Sequence, residues 1–209
     1  MANQESQKTI KAIIFDFGDV ICFWDDETMS PKRAQSLNLP KDSIHDLFFE
    51  YLREGGDGKY HSALDFYDRA KPQTPISREV FEQLFTEWDS TSHIDEEMVR
   101  LIKKLKRTYK IGLLSNFTKG LEEYLIDRFH MHRLFDSIVS SYNLKMRKPI
   151  LDVYHYSAKD LGVQPEECLF IDDIEKNVQA ARQIGMQGIA FTNLEKLKEQ
   201  LLGILGLKV

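Results

Sequence analysis

The residues best suited to chemistry in this chain stand at the ends of short apolar runs. Asp16 ends the first run, the pair 115–116 (Ser, Asn) ends a second, and the pair 172–173 (Asp, Asp) ends a third. Lys148 lies in the segment that follows a further run. If these runs are parallel strands of an open sheet, ligands bind outside their carboxyl ends. The sequence therefore predicts three carboxylates, a hydroxyl, an amide and a cation on one rim.

Such a rim favours phosphate chemistry. Clustered carboxylates repel one another unless they are protonated, paired or bridged by a cation. With oxygen ligands alone the natural cation is Mg²⁺, which keeps waters and shares one or two carboxylates with a phosphate. Lys148 can hold another edge of that phosphate, and Ser115 and Asn116 can donate hydrogen bonds to its oxygens. A remaining carboxylate can attack the phosphorus and form an aspartyl-phosphate intermediate.

Hydrophobic patterning predicts the elements that position these residues. Consecutive apolar runs are typical of strands buried on both faces, and segments with a helical period separate the later runs. Strands alternating with helices through short links imply right-handed crossovers. We therefore predict an α/β, Rossmann-like three-layer sandwich with a central parallel sheet. The predicted strands are 11–16, 110–115, 137–140, 167–172 and 187–191, and the predicted helices are 95–109, 118–129, 150–161 and 175–184.

The long segment after the first strand has a different character. It contains no clear strand pattern, but it has helix-like stretches at 42–53, 61–70 and 77–88. We predict an inserted all-helical cap domain at 23–92, with the core domain formed by 1–22 and 93–209. Trp24 and Trp88 mark the two ends of this insertion. They can contact the substrate, although packing at the junction with the core is the simpler interpretation.

Composition narrows the class of protein. The 209 residues carry a net charge of -5, and 42% are hydrophobic and 29% charged, which is ordinary for a globular protein. A pI near 5.7 does not favour a nucleic-acid surface. No apolar run approaches the roughly 20 residues of a membrane span. We therefore expect a cytoplasmic protein without a nucleic-acid or membrane partner, and we leave its oligomeric state open.

Four segments resemble the motifs of haloacid dehalogenase-like hydrolases. They are Phe15 to Ile21 (FDFGDVI), Leu113 to Asn116 (LLSN), Met146 to Pro149 (MRKP) and Phe170 to Asn177 (FIDDIEKN). Each motif alone is weak, but all four occur in the family's order and each lies at a predicted strand end. Segments 145–154 and 170–177 are especially similar to a bacterial subgroup that includes sugar-phosphate phosphatases. The amino-terminal domain of bifunctional epoxide hydrolases is another relative.

The resemblance implies a nucleophile and a metal site. Asp16 is expected to be the nucleophile and a ligand of Mg²⁺. The backbone carbonyl of Gly18 is expected to be a second ligand, and Asp173 a direct one. Asp172 is expected to bind the metal directly or through water. The implied reaction is the Mg²⁺-dependent hydrolysis of a small phosphate monoester, with sugar phosphates among the candidates.

The resemblance also assigns the supporting residues. Ser115 and Asn116 are expected to hold the transferring phosphoryl group, while Lys148 neutralises both Asp16 and the phosphate. Asn177 is expected to orient the acidic loop. The helical insertion corresponds to a cap that closes over the site, excludes water and selects a small phosphorylated metabolite.

One position departs from the pattern of most phosphatases in the family. They place a second Asp two residues after the nucleophile, where it protonates the leaving group, but this chain has Gly18. Asp19 is the nearest candidate general acid; the alternative is a loop carboxylate bonded to nearby backbone N–H groups. Asp25 and Asp26 are weaker candidates. A good leaving group, such as an anomeric sugar oxygen or an acyl phosphate, needs less acid help and is therefore favoured.

Three other functions are compatible with such a core. A metal-free 2-haloacid dehalogenase uses the same nucleophile, but the acidic pair at 172–173 and Gly18 argue against it. A phosphomutase needs the acid that Gly18 replaces. A non-catalytic binding protein on the same core is disfavoured because Asp16, Lys148 and Asp173 are all present.

Overall fold

The structure is a computed structural model that describes residues 9–55, 58–70 and 74–206. Short runs of mostly buried residues form the strands of its central sheet. The central strand is the apolar run AIIF, and all four of its residues are buried. Each of the five strand segments predicted from the sequence contains an observed strand. In chain order the strands are β1 (Ala12–Phe15), β2 (Cys22–Phe23), β3 (His93–Ile94), β4 (Lys110–Ser115), β5 (Ser137–Ser140), β6 (Cys168–Asp172) and β7 (Gln187–Ala190).

The central sheet has the strand order β5-β4-β1-β6-β7, and every neighbouring pair is parallel. Phe15, the last residue of β1, pairs with Leu113 on one side and with Ile171 on the other. The carboxyl ends of β1, β4 and β6 therefore lie side by side. β1 is the central strand, with β4 and β5 on one side and β6 and β7 on the other. The carboxyl end of such a strand, where the strand order changes direction, is where an open α/β sheet binds its ligand.

Two layers of helices cover the sheet. Ile13 and Phe15 face a cluster that includes residues of the helices at 96–105, 121–127 and 194–205, whereas Ala12 and Ile14 face a second cluster with the helices at 151–160 and 175–183. Because successive strand residues point to opposite faces, a sheet buried on both sides needs this unbroken apolar run. The helices are α1 (Pro31–Ser36), α2 (Ser43–Gly55), α3 (Ala63–Ala70), α4 (Arg78–Ser90), α5 (Glu96–Leu105), α6 (Leu121–Asp127), α7 (Ser141–Leu144), α8 (Leu151–Asp160), α9 (Glu175–Gln183) and α10 (Leu194–Leu205).

The predicted three-layer α/β sandwich with a parallel sheet is thus confirmed. Gly162 and Gly185 follow α8 and α9 with φ of 66° and 93°, as expected of glycines just beyond helix C-termini. Within the part of the chain that the structure describes, none of the helices has the length and apolar character required to cross a membrane.

The predicted helical insertion, residues 23–92, contains α1–α4 and a short 3₁₀ helix, Asp26–Met29. Its apolar side chains form a third cluster whose buried members all lie between Ala34 and Trp88. Trp24 packs against both this cluster and the core. A separate cluster supports the predicted cap domain, while its exact boundaries stay a prediction.

The structure differs from the sequence prediction in a few short elements. The prediction placed no strand in the insertion, but Phe23 at its start belongs to β2, which pairs antiparallel with β3 and joins the two ends of the insertion. Two-residue strands carry no readable periodicity, so they were missed. The prediction also omitted α1, α7 and α10. Helix α6 begins at Leu121 rather than at 118, because Gly120 has a φ of 89°.

Candidate active site

A buried lysine bridges two aspartates at the ends of β1 and β6. Lys148 Nζ lies 2.8 Å from Asp16 Oδ1 and 2.6 Å from Asp172 Oδ2. All three side chains are almost completely removed from solvent. Burial lowers the pKa of Lys148, but the two carboxylates outweigh burial and hold the pKa above its ordinary value. The lysine is therefore a fixed positive charge between two carboxylates.

Asp16 has one oxygen engaged by the protein. The backbone N–H of Phe17 donates to Asp16 Oδ1 at 2.7 Å, the same oxygen that contacts Lys148. Among the contacts of the described residues, Oδ2 is left for a substrate or a metal. Burial raises the pKa of Asp16 to about 7, with Asp172 adding to the rise and Lys148 opposing it.

Asp172 is saturated with hydrogen bonds. Its Oδ1 accepts from Ile174 N at 2.9 Å and from Asn177 Nδ2 at 2.9 Å, and its Oδ2 accepts from Lys148 and from Asn177 Nδ2 at 3.2 Å. Asn177 therefore makes the contact that its predicted orienting role requires. Because both oxygens are occupied, Asp172 is better placed to fix Lys148 than to bind a metal directly.

Asp173 completes an acidic cluster. One oxygen from each of Asp16, Asp172 and Asp173 lies within 4.8 Å of the others. Burial raises the pKa of Asp173 to about 6, and the charges of Asp172 and Asp19 contribute to the rise. Three carboxylates thus face one buried lysine. The excess negative charge and the all-oxygen donor set fit a hard divalent cation such as Mg²⁺.

The side chain of Asn116 holds the backbone of Lys148. Lys148 N–H donates to Asn116 Oδ1 at 2.8 Å, and Asn116 Nδ2 donates to the carbonyl of Lys148 at 3.1 Å. The bond from Lys148 to Pro149 is a cis peptide. From the sequence, Asn116 was expected to act only at the phosphoryl group. The structure adds a contact that the sequence did not predict, because the side chain of Asn116 holds the backbone of Lys148.

Ser115 is the last residue of β4. It is buried and pairs in register with Ser140 of β5. On its other side β4 pairs with β1, and Phe15, the residue before Asp16, pairs with Leu113, two residues before Ser115. Ser115 is thus brought to the predicted rim together with Asp16, Lys148 and the acidic pair of β6.

Gly18 and Asp19 occupy the turn after Asp16. A Cβ placed on Gly18 would meet Trp24 Cζ3 at 3.7 Å, an ordinary contact, and the φ of Gly18 does not lie in the left-handed region. Asp19 has a φ of 55° and is largely exposed. Burial of part of its side chain and the charge of Asp26 raise the pKa of Asp19. Asp25, a weaker candidate acid, instead caps the 3₁₀ helix by accepting from Glu27 N–H.

A cavity of about 250 Å³ lies between the helical insertion and the core. We call it the aromatic cavity, because six phenylalanine, tyrosine and tryptophan rings contribute to its wall. Asn116, whose side chain is bonded to the backbone of Lys148, also lines the cavity. From the sequence, Trp24 and Trp88 were the only rings expected near the substrate. The other rings of the wall come from separate elements, and no spacing in the sequence indicates that they lie together. The rings are Trp24, Tyr51, Phe85, Trp88, Phe117 and Tyr124.

Comparison with known proteins identifies the family. A model for haloacid dehalogenase-like hydrolases matches residues 10–185. The chain therefore belongs to the haloacid dehalogenase-like hydrolases, and the resemblance inferred from the four motifs is confirmed. It is an enzyme family built on the same parallel sheet.

The curated relatives have several activities. Drimenol cyclase of Aspergillus calidoustus is 28% identical over 94% of this chain, but the match spans only 37% of the cyclase. A sesquiterpene phosphatase of Aspergillus oryzae is 26% identical over 88% of this chain and 91% of its own length. D-ribitol-5-phosphate phosphatase of Bacteroides thetaiotaomicron is 26% identical over 94% of this chain and 98% of its own.

Solved structures share the fold. A haloacid dehalogenase family enzyme from Bacteroides thetaiotaomicron, in complex with magnesium and inorganic phosphate, has a TM-score of 0.69 and is 24% identical. The match covers 90% of this chain and 98% of that one. The likeness includes the core sheet and extends over most of both chains.

Proposed function

We propose that this protein is a Mg²⁺-dependent phosphatase that hydrolyses a small phosphate monoester through an aspartyl-phosphate on Asp16. The observation that carries the proposal is the lysine bridge, with Nζ at 2.8 Å from Asp16 Oδ1 and 2.6 Å from Asp172 Oδ2. A carboxylate attacks a phosphate ester only where cations offset their mutual repulsion. Lys148 is one such cation, already buried beside the nucleophile.

The acidic cluster supports a site for the metal. Asp16 and Asp173 would hold Mg²⁺ together with the backbone carbonyl of Gly18, as the family resemblance implies. Asp172, whose oxygens are occupied by protein donors, would act through Lys148 or through a metal-bound water. When bound, Mg²⁺ supplies positive charge that neutralises the phosphate and the developing charge on its oxygens.

The chain's own residues account for the transfer of the phosphoryl group. Oδ2 of Asp16 attacks the phosphorus, and the bond from phosphorus to the ester oxygen breaks as the alcohol leaves. Water then attacks the phosphorus of the aspartyl-phosphate, which releases inorganic phosphate and restores the carboxylate. Lys148, Ser115 and the second N–H of Asn116 are the donors available to the phosphoryl oxygens.

The leaving alcohol needs a proton, and Gly18 cannot supply it. Asp19 is the candidate acid on the same turn, and it lies close enough to Asp173 to raise the pKa of that carboxyl. Esters with good leaving groups depend less on this proton. The ribitol-phosphate phosphatase among the relatives supports sugar phosphates as candidate substrates, and the sesquiterpene phosphatase supports esters of apolar alcohols.

The alternative of a metal-free dehalogenase has less support. Its nucleophile would have the same place, but Asp173 adds a further carboxylate to the rim. A haloacid carries its own negative charge, so this excess of carboxylates opposes its binding when no metal is present.

The test is hydrolysis of a panel of phosphate esters by the purified protein, with Mg²⁺ or with EDTA. Wild type is compared with Asp16→Asn, and Arg133→Ala on the core surface serves as the matched control. The proposal expects turnover that requires Mg²⁺ and disappears in Asp16→Asn but not in Arg133→Ala. Turnover that persists in EDTA or in Asp16→Asn would contradict it.

A further inference from the structure

The aromatic cavity and the candidate active site share Asn116, whose side chain is bonded to the backbone of Lys148. Phe17, which directly follows the nucleophile, packs edge-to-face against three rings of the wall at centroid distances of 6.1 Å (Trp24), 6.0 Å (Phe117) and 6.2 Å (Tyr124). A Cβ on Gly18 would also contact Trp24. An ester bound with its phosphate beside Asp16 can therefore extend its alcohol into this cavity.

The wall is formed by rings that support one another. Trp24 stacks on Trp88 with centroids 5.3 Å apart and an interplanar angle of 15°. Tyr51 packs on Phe85 at 5.3 Å, and Phe117 packs on Tyr124 at 5.4 Å. Rings packed in this way are rigid and present flat apolar surface. Such a wall favours a flat apolar ligand over a flexible polyol.

Most polar side chains in the wall already have partners within the protein. Asp89 accepts from the hydroxyl of Tyr124 at 3.1 Å. His61 is bonded to the hydroxyl of Tyr142, outside the cavity wall. Asn116 is bonded to the backbone of Lys148. Lys119 also lines the cavity, so the wall includes a cation beside these bonded groups.

Two donors in the wall differ from the rest. The indole N–H groups of Trp24 and Trp88 are buried and have no acceptor among the described residues. Trp88 as a whole is only 6% exposed. A buried donor without an acceptor is costly, and a ligand oxygen that accepts from it removes this cost.

We infer that the alcohol part of the substrate is a flat, largely apolar ring that carries a hydrogen-bond acceptor for the indole N–H groups. The inference rests on the proposed phosphatase function and narrows it to phosphate esters of ring-bearing apolar alcohols. Open-chain polyol phosphates are poor substrates on this assignment, because a flexible polyol has no flat face to stack on the rings of the wall.

The experiment compares esters that share a primary C–O–P linkage, so that differences in kcat/KM reflect how well the alcohol part of each ester is bound. The probes are 3-methoxybenzyl phosphate, 3-ethylbenzyl phosphate and sn-glycerol 3-phosphate, assayed with Mg²⁺ and wild-type protein. We expect kcat/KM to be higher for both benzyl esters than for the glycerol ester by about tenfold or more. Equal or better turnover of the glycerol ester would overturn the inference.

Two variants test the indole donors. Trp88→Phe and Trp24→Phe each keep a ring and remove one N–H. We expect wild type to prefer the methoxy over the ethyl ester by about fivefold, and at least one variant to lose this preference. The ratio of kcat/KM for the methoxy ester to kcat/KM for the ethyl ester does not change when a variant loses activity on both esters equally. Phe49→Leu, on the exposed face of α2, is the control that keeps the ratio. A ratio that is the same in wild type and in both Trp variants would overturn the role of the donors.

Failure of the inference can be told apart from failure of the proposed function. The acetyl group of acetyl phosphate is too small to fill the cavity, so Mg²⁺-dependent hydrolysis of this compound reports the phosphatase reaction alone. If it is hydrolysed while the benzyl esters show no advantage, the inference is wrong and the function stands. If it is not hydrolysed, quenching of tryptophan fluorescence by 3-methoxybenzyl phosphonate still tests the cavity, and absence of saturable quenching counts against the inference.

Discussion

Asn116 and Lys148 are joined by two hydrogen bonds between the side-chain amide of one and the backbone of the other, at 2.8 and 3.1 Å. The pairing fixes the backbone from which the buried side chain of Lys148 extends. It links the end of β4 to the segment after β5, and thereby places Nζ against Asp16.

The first prediction concerns this pairing. Asn116→Ala removes both bonds, so Lys148 loses its fixed position, and kcat falls by about 10- to 100-fold with a smaller change in KM. Steady-state kinetics on the best ester of the panel provide the measurement. Asn116→Asp keeps the acceptor for Lys148 N–H and is expected to fall between wild type and Asn116→Ala. An Asn116→Ala variant with wild-type kcat would show that the pairing is dispensable.

A second prediction concerns the stability that Lys148 provides. Lys148→Met leaves Asp16 and Asp172 facing each other without a cation, so the free energy of unfolding in EDTA at pH 8 falls by about 3–5 kcal/mol. Urea denaturation measures it. The control is Lys106→Met, which breaks an ion pair with Asp136 that is partly exposed to solvent, and it should cost less than about 1 kcal/mol. Similar losses for both variants would argue against the buried bridge.

The third prediction uses the raised pKa of Asp16, about 7 in the folded protein against an ordinary value of 3.8. A carboxyl whose pKa is raised on folding contributes stability that is fully present below its unfolded pKa and is lost as the pH rises through the folded pKa. Ionised Asp16 therefore destabilises the metal-free protein above neutrality. Asp16→Asn should raise the melting temperature in EDTA more at pH 8 than at pH 5.

Thermal unfolding in buffers matched for ionic strength checks this prediction. The control is Asp136→Asn. Burial opposes ionisation of Asp136, but Lys106 and the backbone N–H of Ile111 together outweigh burial and lower its pKa in the fold. That variant should lower the melting temperature at pH 8. The explanation fails if Asp16→Asn is less stable than wild type at pH 8 in the absence of metal.

A fourth prediction concerns proton competition at the metal site. The metal-free protein has pKa values of about 7 for Asp16 and about 6 for Asp173. Because Mg²⁺ binds the ionised carboxylates, its affinity should fall as the pH is lowered from 8 to 5. Isothermal titration calorimetry measures the affinity. Asp173→Asn should weaken binding at every pH, whereas Glu199→Gln, on the exposed face of α10, should not. An affinity independent of pH would contradict the assignment.

The fifth prediction concerns the missing acid. The site has room for a side chain at Gly18, since the added Cβ makes only an ordinary contact with Trp24. Gly18→Asp should supply a proton donor and raise kcat for esters with poor leaving groups by about 10²-fold or more, with a smaller effect on acetyl phosphate. Gly18→Asn, which has the same shape without the acid, is the control. Equal effects of the two variants would show that the gain, if any, is not general acid catalysis.

The strands and the reacting rim could be predicted from the sequence because they depend on local pattern. Apolar runs such as Ile13 to Phe15 can be buried only inside a sheet covered on both faces, and a polar residue that follows such a run must lie at its end. The pattern alone therefore places Asp16, Ser115 and Asp172 on one rim. The helical character of the insertion follows in the same way from its hydrophobic period.

Contacts between distant segments were decided only by the tertiary structure. The pairing of β2 with β3 involves two residues on each side, too few for a pattern. Saturation of Asp172 by Lys148 and Asn177, and the bonds of Asn116 to Lys148, depend on side-chain geometry that residue types do not specify. The aromatic cavity joins rings from the insertion with rings from the core.

The sequence by itself therefore determined the family, the parallel sheet and the residues that reach its reacting edge, because periodicity and strand ends are properties of the chain read locally. The tertiary structure alone decided which oxygen of Asp16 is left free, what holds Lys148 in place, and which rings line the aromatic cavity. Those properties depend on distances between side chains that are far apart in the sequence, and such distances exist only after the chain has folded.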